Sequence, residues 1–203
     1  MASNKGKYPE TIFLASGNMD KLSELRDMLE PLGIELKSTL DLKDPAEVEE
    51  DKDSLKGNAL KKAKYWFQET GLPSLADDTG LEVNALDGMP GVCSARYAGE
   101  DASYNDNVQK LLSELKGQDN RSARFRTVMA FVTGDEDLFF EGVCEGEIIE
   151  QPAGSGGFGY DPVFMPTGFK KTFAEIDPKE KNAISHRGKA LQKFVDYVRS
   201  NEL

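Results

Sequence analysis

LADDTGLEV, at residues 75–83, places two adjacent carboxylates between two apolar segments. Its first two residues are typical of the buried end of a strand, and residues 81–86 are typical of a second strand. We therefore predict that Asp77 and Asp78 lie in a turn capped by Gly80, where a sheet opens to solvent. Carboxylates held there can bind a divalent metal or deprotonate a water, although an ordinary Asp-rich turn has the same pattern.

The composition is that of a soluble globular protein. With 203 residues, 38% of them hydrophobic and 30% charged, the chain suits one domain, residues 1–203, with two lobes around a cleft. Residues 1–10 are predominantly polar and are expected to form a flexible tail. No apolar segment is long enough to span a membrane, so we expect a cytoplasmic protein without a membrane partner.

The charge and the cysteines exclude several classes of function. A net charge of −11 argues against a nucleic-acid polymer as partner, because such binding neutralises many phosphates with Lys and Arg. A small anionic ligand needs only a local group of cations and remains compatible. Cys93 and Cys144 are far apart and have no paired spacing, so zinc is disfavoured and both are interpreted as reduced thiols in or near the core.

The N-terminal segment is predicted to form a strand, a tight loop and a helix. Residues 11–15 are rich in strand-forming side chains, and the helical spacing after the loop ends near Gly33, which is expected as the C-terminal cap. A helix that begins just after Ser16 and Asn18 directs free backbone N–H groups towards that loop, where Lys21 adds a positive charge. The alternative is that Ser16 or Asn18 only caps the helix and Lys21 is solvated.

The middle of the chain contains an acidic loop, two helices and a hairpin. Residues 40–53 are predicted to be a solvated loop, followed by a helix that Ser54 caps at its N-terminus and that runs through Thr70, with Gly71 as its C-terminal cap. One of Lys61, Lys62 and Lys64 can reach an anion, unless all three form an exposed face. We further predict a helix capped by Ser103, an antiparallel hairpin of residues 124–133 and 138–149, a strand at 163–165 and a final helix capped by Ser185.

The glycine-rich segment at residues 154–159 matches the spacing G-x-G-x-x-G but not its context. A dinucleotide fingerprint follows a strand and opens a helix, whereas this segment leads into another strand. We interpret it as a flexible loop that presents Phe158, either for stacking on a flat ligand or for packing into the core. His186 is the only histidine of the chain, and a lone histidine is more often structural than catalytic.

Taken together, five separated motifs resemble the inosine triphosphate pyrophosphatase family in the expected order. The resemblance covers nearly the whole chain, from about Thr11 to the last helix, and it rests on Ser16-x-Asn18-x-x-Lys21, Ala76-Asp77-Asp78-Thr79-Gly80-Leu81, Ser94-Ala95-Arg96-Tyr97, Gly156-Gly157-Phe158-Gly159-Tyr160-Asp161-Pro162 and Ser185-His186-Arg187-Gly188. One departure is Gly57 before Asn58 and Ala59, where many members have Glu.

The resemblance implies an enzyme, its fold and its cofactor. Members are nucleoside triphosphate pyrophosphatases that hydrolyse aberrant purine triphosphates (ITP, dITP, XTP) to the monophosphate and pyrophosphate. They depend on Mg²⁺, for which Mn²⁺ is a possible substitute, and are typically homodimers. The implied fold is α/β, with a long twisted mixed β-sheet and flanking helices that form two lobes around an active-site cleft.

The resemblance also implies site residues. Asp78 matches the proton acceptor and a Mg²⁺ ligand, Asp77 supports it, and Glu50 matches the second ligand, although counting back from Asn58 leaves Glu49 open. The substrate-binding positions are Ser16, Asn18, Lys21, Lys62, Thr79, Phe158, Gly159, Tyr160, Asp161, Lys181, His186 and Arg187. Two rival interpretations are a pyrophosphatase for modified pyrimidine triphosphates and a nucleotide-binding regulator without hydrolysis.

Overall fold

The computed structural model describes residues 9–200, apart from the side chains of residues 20 and 24. The part of the predicted flexible tail at residues 1–8 lies outside the described residues. The helices are α1 (Met19–Leu29), α2 (Leu55–Thr70), α3 (Tyr104–Glu114), α4 (Pro178–Ile184) and α5 (His186–Ser200). The strands are β1 (Thr11–Leu14), β2 (Glu35–Ser38), β3 (Ser74–Val83), β4 (Pro90–Gly91), β5 (Ser122–Val132), β6 (Asp137–Ile148) and β7 (Phe164–Pro166).

The strands form one mixed sheet in the order β2-β1-β3-β5-β6-β7, and β4 pairs with β3. β1 is parallel to both β2 and β3, whereas β4 and β7 run antiparallel to their neighbours. The predicted hairpin is confirmed as β5 and β6, which are adjacent in the sheet and joined by four residues. The predicted α/β class with a mixed sheet and flanking helices is therefore confirmed.

The chain forms two compact units. Among the described residues, unit 1 contains residues 9–78, 128–140 and 190–200, and unit 2 contains residues 79–127 and 141–189. Within unit 1, α1 and α5 cover an apolar cluster that includes Leu75 and Phe131 on the sheet, and α2 covers a second cluster that includes Ala76 and Ala130. Within unit 2, α3 and the loops after β6 enclose a core rich in aromatic rings, with Phe125, Phe164 and Phe173 in mutual contact.

Several local predictions are confirmed by the helix ends. Ser54 and Ser103 cap α2 and α3 through their hydroxyl groups, and Gly71 ends α2 with a φ of 67°. A short 3-10 helix extends α1 to residue 32, and Gly33 follows it with a φ of 72°. Both cysteines are free, with Cys144 buried and Cys93 half-buried. No helix in residues 9–200 combines the length and apolarity needed to cross a membrane.

The predicted turn at Asp77 and Asp78 is wrong. β3 continues without interruption through both residues and through Gly80, and it ends at Val83, where a 3-10 helix of residues 84–86 replaces the predicted second strand. Burying a carboxylate in a strand is unfavourable only when the carboxylate lacks a partner. Here both carboxylates have partners in neighbouring helices. The strand therefore carries two buried carboxylates.

Candidate functional site

The alternation of side chains along β3 separates the two carboxylates. Asp77 shares its face with Leu75, which packs under α1, and Asp78 shares its face with Ala76, which packs under α2. Both are buried, with 5% and 7% of their surface exposed. Each carboxylate therefore meets a different helix, and the pair that looked equivalent in the sequence has two distinct environments.

Asp77 is bound by Lys21 from α1. The ammonium Nζ of Lys21 lies 2.8 and 2.7 Å from the two carboxylate oxygens, so the alternative of a solvated Lys21 is wrong. Asn18 does cap α1, because it accepts a hydrogen bond of 3.1 Å from the backbone N–H of Lys21, and its role in anion binding stays a prediction. Ser16 accepts a bond of 3.1 Å from the backbone of Asn18 and so orders the loop before the helix.

Lys62 joins the acidic loop to β3. Its Nζ donates to Oε1 of Glu50 and to the backbone carbonyl of Asp77, both at 2.5 Å. Burial lowers the pKa of Lys62, but the attraction of Asp77, Glu50 and Asp78 outweighs it, so its pKa lies above the usual value. Glu49, the other candidate ligand, is exposed. Of the two glutamates, Glu50 is the one that contacts this cluster.

The unit 1 cluster, defined as Lys21, Glu50, Lys62, Asp77 and Asp78, has the donor chemistry of a Mg²⁺ site. Its three carboxylates and two ammonium groups leave one net negative formal charge, and carboxylate oxygens are the ligands that Mg²⁺ prefers. No three His, Cys, Asp or Glu side chains within residues 9–200 are grouped so that they could hold a metal by themselves. The cluster therefore suits a metal bound by one or two carboxylates and by substrate oxygens.

A second group of predicted residues comes together in unit 2. We define the Phe158 cluster as Phe158, Asp161, Lys181 and Arg187. The Lys181 ammonium lies 5.2 Å and the Arg187 guanidinium 5.3 Å from the centre of the Phe158 ring. Asp161, which is buried, accepts a bond of 2.5 Å from Lys181 and one of 2.8 Å from the backbone of Phe158. Phe158 itself is 39% exposed and does not fold into the core.

The glycines of this loop allow close packing rather than freedom of movement. A Cβ on Gly154 would lie 2.6 Å from the backbone of Ala174, and the backbone N–H of Gly156 donates to the carbonyl of Ala174 at 3.0 Å. Gly157 has a φ of 70°, and a Cβ there would lie 2.1 Å from a carboxylate oxygen of Asp161. The loop is thus fixed against its neighbours, and Gly159 follows with a φ of 60°.

The remaining predicted residues of unit 2 contact its interior. Tyr160 is buried and donates a bond of 2.9 Å to a backbone carbonyl, and burial raises the pKa of its hydroxyl. His186 begins α5 and stacks on Phe125 with ring centres 4.6 Å apart. Thr79 shares a hydrogen bond of 2.7 Å with Thr127. These contacts fix the positions of the three side chains within unit 2.

Asn58 contacts the candidate site although the sequence patterns did not predict it there. Its amide Nδ2 donates to Oδ2 of Asp78 at 3.0 Å. The signal was present in the pattern of α2, because Asn58 occupies a position on the apolar face beside Leu55 and Ala59, one turn before Lys62. A polar residue at such a position requires a hydrogen-bond partner.

Comparisons with known proteins show which family the chain resembles. The model of the Ham1 family matches residues 12–197. A dITP/XTP pyrophosphatase of Flavobacterium johnsoniae is 46% identical over 187 residues, which cover 92% of this chain and 97% of that protein. A dITP/XTP pyrophosphatase of Desulforamulus reducens is 48% identical over 190 residues, 92% of this chain and 94% of that protein.

Solved structures show the same fold. A HAM1 protein from Coxiella burnetii matches with a TM-score of 0.89 and 42% identity, covering 94% of this chain and 98% of that one. A nucleoside-triphosphatase, or dITP/XTP pyrophosphatase, from Mycobacterium abscessus matches with a TM-score of 0.78 and 43% identity, covering 93% and 99%. The family resemblance drawn from the five sequence motifs is confirmed by these matches.

Proposed function

The chain belongs to the Ham1 family, and on that premise we propose that it is a nucleoside triphosphate pyrophosphatase for aberrant purine nucleotides. Its substrates are ITP, dITP and XTP, and its products are the nucleoside monophosphate and pyrophosphate. The observation that supports this reaction best is the unit 1 cluster, in which two lysines surround buried carboxylates. The relatives named dITP/XTP pyrophosphatase support the class of base.

The unit 1 cluster is proposed to bind the triphosphate. A triphosphate carries about four negative charges, and the cluster alone has one net negative formal charge, so binding requires a further cation. We assign Glu50 and Asp78 as the ligands of Mg²⁺, with Mn²⁺ as a substitute. When bound, the metal neutralises phosphate charge, and Lys21, Lys62 and the positive N-terminal end of α1, which follows Ser16 and Asn18, contribute the rest.

Asp78 is proposed as the general base. It accepts a proton from a water, the water oxygen forms a bond to the α-phosphorus, and the bond from that phosphorus to the bridging α–β oxygen breaks. Pyrophosphate leaves with the bonding electron pair while Lys21 and Lys62 stabilise its charge. Asp77 does not take the proton. Its two bonds from Lys21 and its backbone bond from Lys62 make it the residue that orients both ammonium groups.

The Phe158 cluster is proposed to bind the base. Phe158 is exposed enough to stack on a purine, and Lys181 and Arg187 provide donors near it. His186, which stacks on Phe125, is the third proposed donor. Hypoxanthine and xanthine have an oxygen at position 6, whereas adenine has an amino group that would leave those donors unpaired, at a cost of about 1–3 kcal/mol each. Asp161 holds the backbone of Phe158, and Gly159, Tyr160 and Thr79 complete the proposed substrate contacts.

Pyrophosphate release with Mg²⁺ and a panel of triphosphates tests the proposed function. ITP, dITP and XTP should release pyrophosphate much faster than ATP, CTP and TTP. Preferential hydrolysis of modified pyrimidine triphosphates would support the first rival interpretation. Binding of a triphosphate without release of pyrophosphate would support the second rival interpretation, a nucleotide-binding regulator without hydrolysis. In the Arg187→Ala variant the preference for ITP over ATP should fall about tenfold, and an unchanged preference would refute the role of this donor.

The assembly and the location are also proposals. We propose a homodimer in the cytoplasm, as the family resemblance implies. Light scattering on a size-exclusion column should give twice the chain mass of 22.4 kDa. A single chain mass at micromolar concentration would contradict the dimer, and fluorescence of a tagged chain in its own cell tests the location.

A further inference from the structure

Asn58 lies in the first turn of α2 with none of its surface exposed. A buried amide must find partners for both its oxygen and its nitrogen, because each unpaired group costs free energy. Both partners are present. Oδ1 accepts a hydrogen bond of 2.9 Å from the backbone N–H of Lys52, and Nδ2 donates one of 3.0 Å to Asp78.

The two partners fix the orientation of the amide. The backbone N–H of Lys52 can only donate, so it must face the oxygen of Asn58. The carboxylate of Asp78 then faces the nitrogen. A rotation of the amide by 180° would place donor against donor and oxygen against carboxylate, so the arrangement permits one orientation only.

The backbone that Asn58 holds belongs to the acidic loop. Lys52 follows Glu50 by two residues, and the neighbouring Gly57 lets this loop approach α2 closely, since a Cβ there would lie 2.8 Å from Cβ of Lys52. One buried amide thus connects the segment that carries Glu50 with Asp78 on β3. These are the two carboxylates assigned above as metal ligands.

We propose that Asn58 is a positioning residue that sets the separation of Glu50 and Asp78 and orients the carboxylate of Asp78 for the metal. This inference rests on the proposed function. Groups that orient metal ligands by hydrogen bonds typically change metal affinity or activity by about 10–100-fold when they are removed. Asn58 acts through Asp78 and the backbone of Lys52, not through contact with the substrate.

The affinity of the full chain for Mn²⁺ tests the inference. It is measured without nucleotide, from the electron paramagnetic resonance signal of free Mn²⁺. Asn58→Ala should weaken Mn²⁺ binding by about 10–100-fold, and Asn58→Ser, which is too short to bridge both partners, should weaken it by a similar factor. Both variants should also have a lower kcat for ITP, and excess Mg²⁺ should restore part of it. Ser54→Ala is the matched control, because it removes the cap of the same helix without touching Asp78.

Ser54→Ala should lower the melting temperature but leave Mn²⁺ affinity within twofold. If circular dichroism shows that Asn58→Ala does not fold, the Mn²⁺ affinity of Asn58→Ser decides whether the inference holds. Variants of Asn58 that fold and bind Mn²⁺ as the unaltered chain does would overturn the inference while leaving the proposed function intact. An unaltered chain that hydrolyses ITP without any divalent metal would overturn the metal assignment and the inference together.

Discussion

Replacing Asp161 by Ala should destabilise the chain and weaken binding of the base at the same time. The carboxylate of Asp161 is buried and accepts two hydrogen bonds, one from the ammonium of Lys181 and one from the backbone of Phe158. Asp161→Ala leaves both donors without this acceptor. The Lys181 side chain is 16% exposed, so water replaces only part of what its ammonium loses.

The magnitude follows from these two contacts. Hydrogen bonds to a charged group contribute about 1.5–3 kcal/mol each, and partial access of water to Lys181 reduces the total to about 3 kcal/mol. For a chain of this size that corresponds to a fall of about 6–12 °C in melting temperature. Because base stacking on an aromatic ring contributes about 1–3 kcal/mol, loss of the orientation of Phe158 should raise KM for ITP about tenfold.

Urea denaturation of Asp161→Ala, Lys181→Met and the double variant measures the coupling. Loss of one partner leaves a poorly solvated charge behind, so the double variant should be about 1–3 kcal/mol more stable than the sum of the single losses predicts. Asp177→Ala is the control. It removes the cap of α4 at a cost of about 1 kcal/mol and should leave KM unchanged. Additive losses within about 0.5 kcal/mol, or an unchanged KM in Asp161→Ala, would refute the reasoning.

Three further variants test individual contacts. Gly188→Ala should cost about 3 kcal/mol in urea denaturation, since a Cβ would lie 1.7 Å from the carbonyl oxygen of Asn182, and a loss below about 1 kcal/mol would contradict that packing. Lys21→Met should cost about 2 kcal/mol, because it removes the ammonium that contacts both oxygens of buried Asp77, and an unchanged stability would show that the pair contributes nothing. Burial raises the pKa of Tyr160, so the folded chain retains a proton that the unfolded chain releases near about pH 10, and stability should decline as the pH rises past that value. Tyr160→Phe should make this decline less steep, and equal slopes would exclude the hydroxyl as a cause.

The helix boundaries were predictable because their signals are local. Ser54 and Ser103 each place a hydroxyl where the first turn needs an acceptor, and Gly33 and Gly71 each adopt the left-handed conformation that glycine tolerates best. These interactions involve residues within one or two turns. A single sequence therefore contains all the information required to place them.

The course of β3 was not predictable from the segment itself. Two adjacent aspartates indicate a turn when only their neighbours in sequence are considered. The partners that allow Asp77 and Asp78 to lie in a buried strand come from α1 and α2, and Lys21 precedes Asp77 by 56 residues. Only the tertiary structure brings these charges and the amide of Asn58 to the strand.

The sequence predicted which residues belong to the candidate site better than it predicted the contacts among them. The motifs and the family resemblance that they carry placed Lys21, Lys62 and Asp78 in one group, but they did not reveal that Lys62 contacts Glu50 and the backbone of Asp77. Nor did they indicate that the loop before Phe158 is glycine-rich because the backbone of Ala174 lies against it. The catalytic and binding roles of these residues stay predictions.

The central claim is that a water activated by Asp78 attacks the α-phosphorus of a purine triphosphate. Hydrolysis of ITP in ¹⁸O-labelled water with Mg²⁺, followed by mass spectrometry of the products, tests it most directly. We predict that the label enters inosine monophosphate and not pyrophosphate, and that Asp78→Asn yields no labelled product while it still binds ITP. Label in pyrophosphate, release of inosine diphosphate, or substantial turnover by Asp78→Asn would contradict the account.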